Sequence, residues 1–577
     1  MTYQLGTKIL GGLAFILSGL GLFSFAQFND PQSAHYVVHA ESIVTMDVAN
    51  PIATHVAVHG ETIVAVGDQS AVAPHKRWFT QTIDFGEQTI MPGLIEPHTH
   101  PILGAIFSEW LDVSGFTYPQ SDDIYAALRG AIAKKAEGEW LFAFGLDPIL
   151  TPDLVAPTRA TLDEIAPDNP VLIISQIIHT AWVNSAALRL AGIDESVVDP
   201  VGGHFERDAS GRLNGVVHEE AIKMLLVQTD SGWLAKLEQV LKTRSSFIRQ
   251  YNAYANAGIT SIGVLGPAPM FDGYLDFLEH IATRKTSPLR TFVMPLAGEL
   301  EKAGYPLNYQ NDKYHVVGVK LHLDGSPWTG GMATKEPYLM NEFTQGTLKM
   351  KEGNRGILKY TPGDYIEKVV NYHRDGWQVA VHAHGERAHQ LALDAYEAAQ
   401  LAFPREDARH RMEHLGLLQA SDIDRAAELG ITPSFFIDHI TYFGPAIRDL
   451  LLGEERANRF MPLGSATKRI EHVTLHMDSP ATPINPWRML RTAITRIPRF
   501  SDVPLNTDEL MSKQDALEAI TIDAAWQLKQ EDRIGSLEIG KQADFVVLNK
   551  NPLTTEATQW DTIAARATWL AGKPVRH

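Results

Sequence analysis

The sequence contains no cysteine among its 577 residues. This absence excludes disulfide bonds, iron–sulfur clusters, thiolate metal sites and cysteine nucleophiles. Any metal site in the protein must therefore use nitrogen and oxygen ligands, for which the 23 histidines and the many carboxylates are available.

Positive charge is also scarce, because 50 lysines and arginines face 68 aspartates and glutamates and give a net charge of −18. A chain with this balance lacks the basic footprint of a nucleic-acid-binding protein, so we expect no nucleic-acid partner. The 45% hydrophobic and 20% charged residues are typical of a globular protein and exclude a disordered or fibrous one. Homo-oligomer formation stays open.

A long hydrophobic run occurs only at the N-terminus. Lys8 is the single charge in residues 1–26, and an apolar run from Ile9 to Ala26 follows it. The end of this run fits a small-x-small cleavage site, which favours a secretory signal peptide and an exported, periplasmic or secreted protein. The alternative is an uncleaved N-terminal anchor, although the run is at the low end of the length that spans a bilayer. The membrane would then be contacted only through this segment.

The two ends of the chain share one pattern and the middle has another. Strand-like runs near residues 36–66 and 543–574 predict a small β-sandwich formed by both termini, from parts 36–91 and 531–577. Between them, eight apolar strand-like runs alternate with helical patterns over residues 92–530. This alternation predicts an α/β fold, a (β/α)8 TIM barrel, with a large insertion after its first strand at about residues 101–257.

The sharpest chemical feature is the His-x-His pair formed by His98 and His100 at the end of the first predicted barrel strand. Strand side chains repeat every two residues, so both imidazoles face one side and could coordinate one metal ion. Two ordinary polar histidines at a strand end are the alternative. Further candidate groups end or follow later strands, and the carboxyl ends of barrel strands converge on one face. These groups are Lys320, His382, His414 and Asp478.

Several segments together resemble the amidohydrolase superfamily, in particular amidohydrolase family 3, the YtcJ-like and N-substituted formamide deformylase-like group. The resemblance runs from about residue 36 to the end of the chain. It is carried by MPGLIEPHTH at 91–100, VKLHLDGSPWTGGMATKEPY at 319–338, VAVHAHGERA at 379–388, RHRMEHL at 409–415, HMDSPATPINPW at 476–487 and GSLEIGKQADFVVLNKNP at 535–552.

The resemblance implies a role for each of these groups. His98 and His100 would hold one divalent metal ion together with Asp478, and His382 and His414 would hold a second. Lys320 would be carbamylated and bridge the two ions, but a single ion without the carbamate stays open. Zinc is the expected metal, while manganese, iron and nickel suit the same ligands. The candidates for substrate contact are His179, Glu219, Asp324, His384 and His439.

The resemblance implies a small-molecule substrate and the hydrolysis of a carbon–nitrogen bond other than a peptide bond, in an amide, N-acyl or N-formyl compound. A metal-activated water would attack the carbonyl carbon, and Asp478 would take the proton of the water and pass it to the leaving nitrogen. Ester, lactone or carbamate hydrolysis and deamination are alternatives on the same site. A non-catalytic binding or regulatory protein is a further alternative, because a fold alone does not establish a function.

Overall fold

The structure, a computed structural model, describes residues 30–200, 202–227, 244–267 and 273–575. The predicted signal peptide or anchor at residues 1–26 lies outside these residues. Within the described ranges, no helix has both the length and the apolar character needed to cross a membrane.

Strands from both ends of the chain share one eight-stranded sheet. The two ends are joined where Phe545–Leu548 pairs antiparallel with Thr89–Pro92. Apolar side chains on these strands, including Val38 and Val547, form a hydrophobic cluster of their own. The sheet is thus common to both termini, but a sandwich of two packed sheets is not shown. Its strands are Tyr36–Val44, Ile52–His59, Thr62–Gly67, Gln81–Asp84, Thr89–Pro92, Phe545–Leu548, Ala565–Leu570 and Lys573–Pro574.

The middle of the chain contributes two five-stranded sheets with mainly parallel pairing. Their hydrogen-bonded ladders are separate, so a closed barrel is not confirmed, whereas the mixed α/β fold is shown. The first sheet contains Leu94–Thr99, Ile259–Leu265, Arg290–Met294, Tyr314–Val316 and the short antiparallel strand Gln310–Asn311. The second contains Gly318–His322, Gln378–Ala383, Arg411–His414, Thr432–Phe435 and Thr474–Leu475.

Helices connect most of these parallel strands. The helix Pro362–Arg374 shows why they form: the Thr361 side chain accepts the backbone N–H of Asp364, and proline occupies the first turn, where its missing N–H costs nothing. The α-helices are Gln69–Val72, Pro101–Phe107, Ser121–Ile132, Arg159–Ile165, Ser185–Leu190, Ala221–Val227, Arg244–Asn256, Tyr274–Ala282, Ala297–Ala303, Pro362–Arg374, Glu386–Ala402, Ala420–Glu428, Asp438–Ala446, Glu454–Ala457, Leu463–Thr467, Pro486–Thr495, Lys513–Glu518 and Ile522–Gln527.

The segment between the first and second parallel strands folds around a sheet of its own. The sheet has a hydrophobic cluster of its own, which includes Leu141 and Ile173 on its strands and the nearby Val113. The segment therefore brings additional walls to the carboxyl end of the first strand. The strands of this six-stranded sheet are Leu111–Asp112, Leu141–Leu146, Val171–Ser175, Thr180–Val183, Gly203–Arg207 and Leu213–Glu219.

Backbone hydrogen bonds join the carboxyl ends of strands from different sheets. The N–H of Lys320 donates to the carbonyl of Pro295 at 2.8 Å, which connects the two five-stranded sheets. The N–H of His100 donates to the carbonyl of Ser479, also at 2.8 Å, which connects the first strand to the segment after the last one. These bonds hold the ends of distant segments in one place.

Candidate active site

His98, His100 and Asp478 form the first group of potential metal ligands. One ligand atom from each lies within 4.8 Å of the others. The Nε2 atom of His100 is 3.0 Å from Oδ1 of Asp478, and Nε2 of His98 is 3.7 Å from the same oxygen. Burial raises the pKa of Asp478, but the hydrogen bond from His100 and nearby positive charges outweigh this and lower it. The carboxylate form is therefore favoured.

His414 connects two further groups of nitrogen ligands. It lies with His382 and His384 in one group and with His98 and His476 in another. Burial lowers the pKa of all these imidazoles well below the usual value. Neutral imidazole is the form that ligates metals, because it keeps a free lone pair.

Lys320 lies between the histidine groups with its side chain 1% exposed. Its Nζ atom is 3.4 Å from Nε2 of His98. Burial lowers the pKa of Lys320 to about 8. Gly266 packs closely against its stem, because a Cβ there would lie 3.0 Å from Cγ of Lys320. The lysine is thus a buried amine that loses its proton more readily than an exposed lysine does.

A buried carboxylate fixes the orientation of His98. Nδ1 of His98 donates to Glu413 at 2.9 Å, and the Glu413 side chain is fully buried. Glu413 also accepts two hydrogen bonds from Arg411, at 2.7 and 3.1 Å, and Arg411 donates a third bond to the carbonyl of Pro97. This arrangement places the proton of His98 on Nδ1 and leaves Nε2 free to face Lys320 and Asp478.

The insertion contributes a paired histidine and glutamate. Nδ1 of His179 lies 2.9 Å from Oε2 of Glu219, and Thr329 donates to Oε1 of the same carboxylate at 3.0 Å. Burial raises the pKa of Glu219, but the charge and hydrogen bond of His179 and further partners outweigh it and lower the pKa to about 2. The pair is therefore an ionised carboxylate that holds an imidazole at the site.

One cavity of about 630 Å³ joins these groups, a volume in the usual range for small-molecule sites. Its apolar walls come from residues such as Leu103, Ile177 and Leu296. Its polar lining consists of His98, His100, His179, Glu219, Glu220, Lys223, Lys320, His322, Lys359, Tyr360, His382, His414 and Asp478.

The remaining predicted residues lie behind this lining. Asp324 is fully buried and accepts backbone N–H groups from Ala333, His384 and Gly385 at 2.9 to 3.0 Å. Burial raises its pKa to about 7. His439 is buried and stacks on His384 with 5.4 Å between ring centroids. These three side chains support the wall that carries His382 and His414; their contact with substrate stays a prediction.

Four residues of the cavity hold a left-handed backbone conformation. The φ angles are 64° at Ile178, 52° at Glu219, 76° at His414 and 54° at Asp478. Such angles are uncommon for residues other than glycine, and for a β-branched residue such as Ile178 they are outliers. Strained positions of this kind cluster at functional sites, where the surrounding structure holds them in place.

Comparison with known proteins identifies the family. The sequence profile of the amidohydrolase family matches residues 81–576, which is most of the chain. The chain belongs to the amidohydrolase family. The resemblance inferred from the motifs is thereby confirmed, and membership of this family supports a hydrolase.

Individual relatives of this amidohydrolase are distant but extend over most of the chain. Protein LONG AFTER FAR-RED 3 of Arabidopsis thaliana is 28% identical over 517 residues, which cover 86% of this chain and 83% of the plant protein. The N-substituted formamide deformylase of Arthrobacter pascens is 24% identical over 516 residues, which cover 85% and 89% of the two chains. A crystal structure of an uncharacterized metal-dependent hydrolase from Pyrococcus horikoshii OT3 has the same fold, with a TM-score of 0.68, 21% identity and coverage of 90% and 99%.

The donor set of this amidohydrolase fits a divalent metal ion. It offers imidazole nitrogens and one ionised carboxylate but no thiolate. Imidazole and carboxylate are ligands that metals such as zinc accept. Nε2 of His382 is buried and has no hydrogen-bond partner among the residues that the structure describes. A buried nitrogen without a partner is costly, and metal coordination would satisfy it. The histidine groups therefore suggest a divalent-metal site, whose ion identity they do not fix.

Sequence reasoning gave His322 and Lys359 no role, although both line the cavity of the amidohydrolase. A signal for His322 was present, because it follows Lys320 by two residues on a strand and so shares its face. Lys359 belongs to no strand or motif, and no sequence pattern pointed to it. Its backbone N–H donates to the carbonyl of Leu323 at 2.8 Å, which brings it to the strand that carries Lys320.

Proposed function

We propose that the protein is a metal-dependent hydrolase that cleaves the carbon–nitrogen bond of an amide, N-acyl or N-formyl compound by means of a metal-activated water. The observation that carries this proposal is the convergence of His98, His100, His382, His414 and Asp478 around one cavity. The named activity of the distant formamide deformylase is consistent with it.

In the proposed reaction, the metal ligands and Asp478 have different roles. A divalent metal held by these histidines and Asp478 would lower the pKa of a bound water and polarise the substrate carbonyl. Asp478, partly exposed to the cavity, takes a proton from the attacking water and returns it to the leaving nitrogen. The new carbon–oxygen bond replaces the carbon–nitrogen bond, so the products are a carboxylate, or formate, and an amine.

Lys320 is proposed to carry a carbamate that offers two oxygens as metal ligands. A buried amine with a pKa of about 8 is in part neutral at physiological pH, and the neutral amine is the form that reacts with carbon dioxide. Intact-mass measurement of the native protein would show one added carbon dioxide, and the Lys320→Met variant would show none.

The two five-stranded sheets are proposed to form one (β/α)8 barrel, in which Gln310–Asn311 is an additional strand and Tyr314–Val316 and Gly318–His322 together count as one barrel strand. The hydrogen-bond ladder is interrupted at Val317, yet Val317 donates its N–H to Val293 at 3.0 Å, across the gap between the sheets. At the other edge, Glu96 of the first strand accepts the N–H of Met477, next to the last strand, at 3.1 Å. Both connections support a closed ring of strands with the site at its carboxyl face.

Metal content and hydrolysis measured together test the proposed function. Purified protein, loaded with zinc or manganese, is assayed on N-acyl, N-formyl and ester substrates. We expect bound metal and amide hydrolysis in the wild type, and a loss of about a hundredfold or more in kcat for Asp478→Asn. Asp502→Asn is the matched control, because Asp502 is exposed and does not line the cavity.

The outcomes of this experiment separate the alternatives. Ammonia release in place of amine release would identify a deaminase, and activity confined to esters or lactones would contradict the carbon–nitrogen assignment. Protein without bound metal, together with full activity of Asp478→Asn, would refute the proposed function. A folded, metal-free protein without activity on any substrate would instead favour a binding or regulatory role.

A further inference from the structure

A second cavity lies in the insertion, beside the cavity that holds the proposed metal site. Its volume is about 370 Å³, which is within the range of small-molecule sites. Among the residues that the structure describes, Ile177 alone lines both cavities. The two cavities are therefore neighbours with separate walls.

Two paired strands of the insertion separate the cavities. Trp182 of one strand pairs with Val216 of the other, and both side chains line the second cavity. His218, two residues after Val216, lines the same cavity, whereas the next residue, Glu219, lines the proposed active site. Strand side chains alternate between the two faces, so a ligand against Trp182 and His218 would lie on the other side of these strands from Glu219.

Aromatic side chains form part of the wall of the second cavity. Trp182 and Trp328 are both buried, and Phe343 also lines the cavity. Trp328 packs against Phe443 with 4.5 Å between ring centroids, which limits the movement of its ring. The face of an indole attracts a cation and also packs against apolar groups. The wall therefore suits a ligand with an apolar body and permits a positive charge on that ligand.

The buried carboxylate of Asp147 gives the second cavity a negative charge. Asp147 follows the strand Leu141–Leu146, lines the cavity and is 4% exposed. Its Oδ1 atom accepts the N–H of Ile149 at 2.8 Å. Burial raises the pKa of Asp147 to about 6, and among the described residues only backbone N–H groups oppose this shift. The side chain is thus largely ionised at neutral pH, and no cationic side chain of the described residues is paired with it.

The other carboxylate of the cavity, Glu206, already has partners. Asn214 donates to it at 2.8 Å, and Nε2 of His218 lies 2.9 Å from it. Burial raises the pKa of Glu206, but these hydrogen bonds and the charges of His218 and Lys349 outweigh burial and lower the pKa. Asp147 is therefore the carboxylate that lacks a counter-charge. A buried charge without a partner is costly, and an ammonium group of a ligand would offset this cost.

We propose that the second cavity binds a small organic cation, whose ammonium group pairs with the Asp147 carboxylate while its aromatic or branched apolar body packs against Trp182 and Trp328. The site is separate from the proposed hydrolytic site, and the inference holds whether or not the protein cleaves amides. Primary aromatic amines such as 2-phenylethylamine have both features.

Calorimetric titration of the metal-loaded protein with 2-phenylethylamine tests the inference, with 2-phenylethanol as the neutral reference. We expect the amine to bind more tightly than the alcohol. Asp147→Asn is expected to weaken amine binding about tenfold and to leave alcohol binding unchanged, as fits the loss of one charged hydrogen bond. The asparagine carbonyl can still accept the N–H of Ile149, so the local turn is kept. Asp168→Asn is the control, because Asp168 is exposed in the insertion and lines neither cavity.

Two further variants locate the bound amine. Val216→Phe places a larger side chain in the second cavity and is expected to abolish the binding of both probes in a protein that circular dichroism shows to be folded. Asp478→Asn changes the proposed metal site and is expected to leave the binding of both probes unchanged. If Asp147→Asn does not fold, Val216→Phe applies the same test. No amine binding to the wild type, equal amine binding to wild type and Asp147→Asn, or loss of amine binding in Asp478→Asn overturns the inference.

Discussion

The carboxylate of Glu413 is expected to control metal affinity without touching the metal. Glu413 accepts three N–H groups, from Nδ1 of His98 and from Nε and Nη2 of Arg411, at 2.7 to 3.1 Å. Glu413→Gln preserves the volume but replaces one acceptor oxygen with a donor NH2 group. At least one of the three hydrogen bonds is then lost, and His98 is no longer held in one tautomer.

The expected size of the effect follows from these contacts. Loss of a partner of this kind weakens metal binding by about 10- to 100-fold. At a free metal concentration of a hundred times the wild-type Kd, the metal stabilises the wild type by about 2.7 kcal/mol. A hundredfold weaker Kd reduces this stabilisation to about 0.4 kcal/mol, and a tenfold weaker one to about 1.4 kcal/mol.

Two measurements check this prediction. Metal Kd is measured by competition with a chromophoric chelator, and metal-induced stabilisation by chemical unfolding with and without metal. Glu531→Gln is the control, because Glu531 also pairs with an arginine, Arg409 at 2.8 Å, but lies outside the cavity. A folded Glu413→Gln protein with wild-type Kd and wild-type stabilisation would refute the orienting role. If the variant does not fold, Arg411→Lys applies the same test by removing the fork that holds Glu413.

Two further predictions concern space and charge at the site. Gly266→Ala is expected to lower the free energy of unfolding by about 1 kcal/mol, because Gly266 has a left-handed φ of 60°. It is also expected to reduce metal loading, because the added Cβ would crowd Lys320. The control is Gly60→Ala, which has a similar φ of 61° and open space around it and should lower stability alone. Equal metal loading of the two variants would contradict this. Glu219 has a folded pKa of about 2, below its usual value, so its stabilising charge is present above pH of about 4.5 and lost as pH falls toward 2. The difference in unfolding free energy between wild type and Glu219→Gln should therefore close over this range, and a difference independent of pH would contradict the pairing.

The sequence was informative where a short repeat, such as the two-residue repeat of a strand, decides on which side a side chain lies. His98 lies on the strand Leu94–Thr99 and His100 follows its end, and the alternation of strand side chains was enough to predict that their imidazoles lie together. The carboxyl ends of parallel strands also meet on one side of a sheet. The alternation of strand and helix patterns predicted the mixed α/β fold in the same way. The absence of cysteine limited the ligands to nitrogen and oxygen groups before any fold was considered.

Contacts between distant segments could not be read in this way. Glu413 and His98 are 315 positions apart, and their hydrogen bond joins two strands that belong to different sheets. No sequence period encodes that meeting, because it results from packing the whole set of strands. The same holds for His384, which was predicted as a substrate contact and which the structure places with His382 and His414 in a group of potential ligands.

The sequence by itself thus determined the family and the α/β class, and it predicted the residues proposed to bind a metal, since these follow from residue type and local spacing. Only the tertiary structure decided which nitrogen of His98 is free and which residues of the insertion line the cavity. Those features are distances between segments far apart in the chain. Burial and hydrogen bonding set them, because each buried polar group must find a partner wherever the fold brings one.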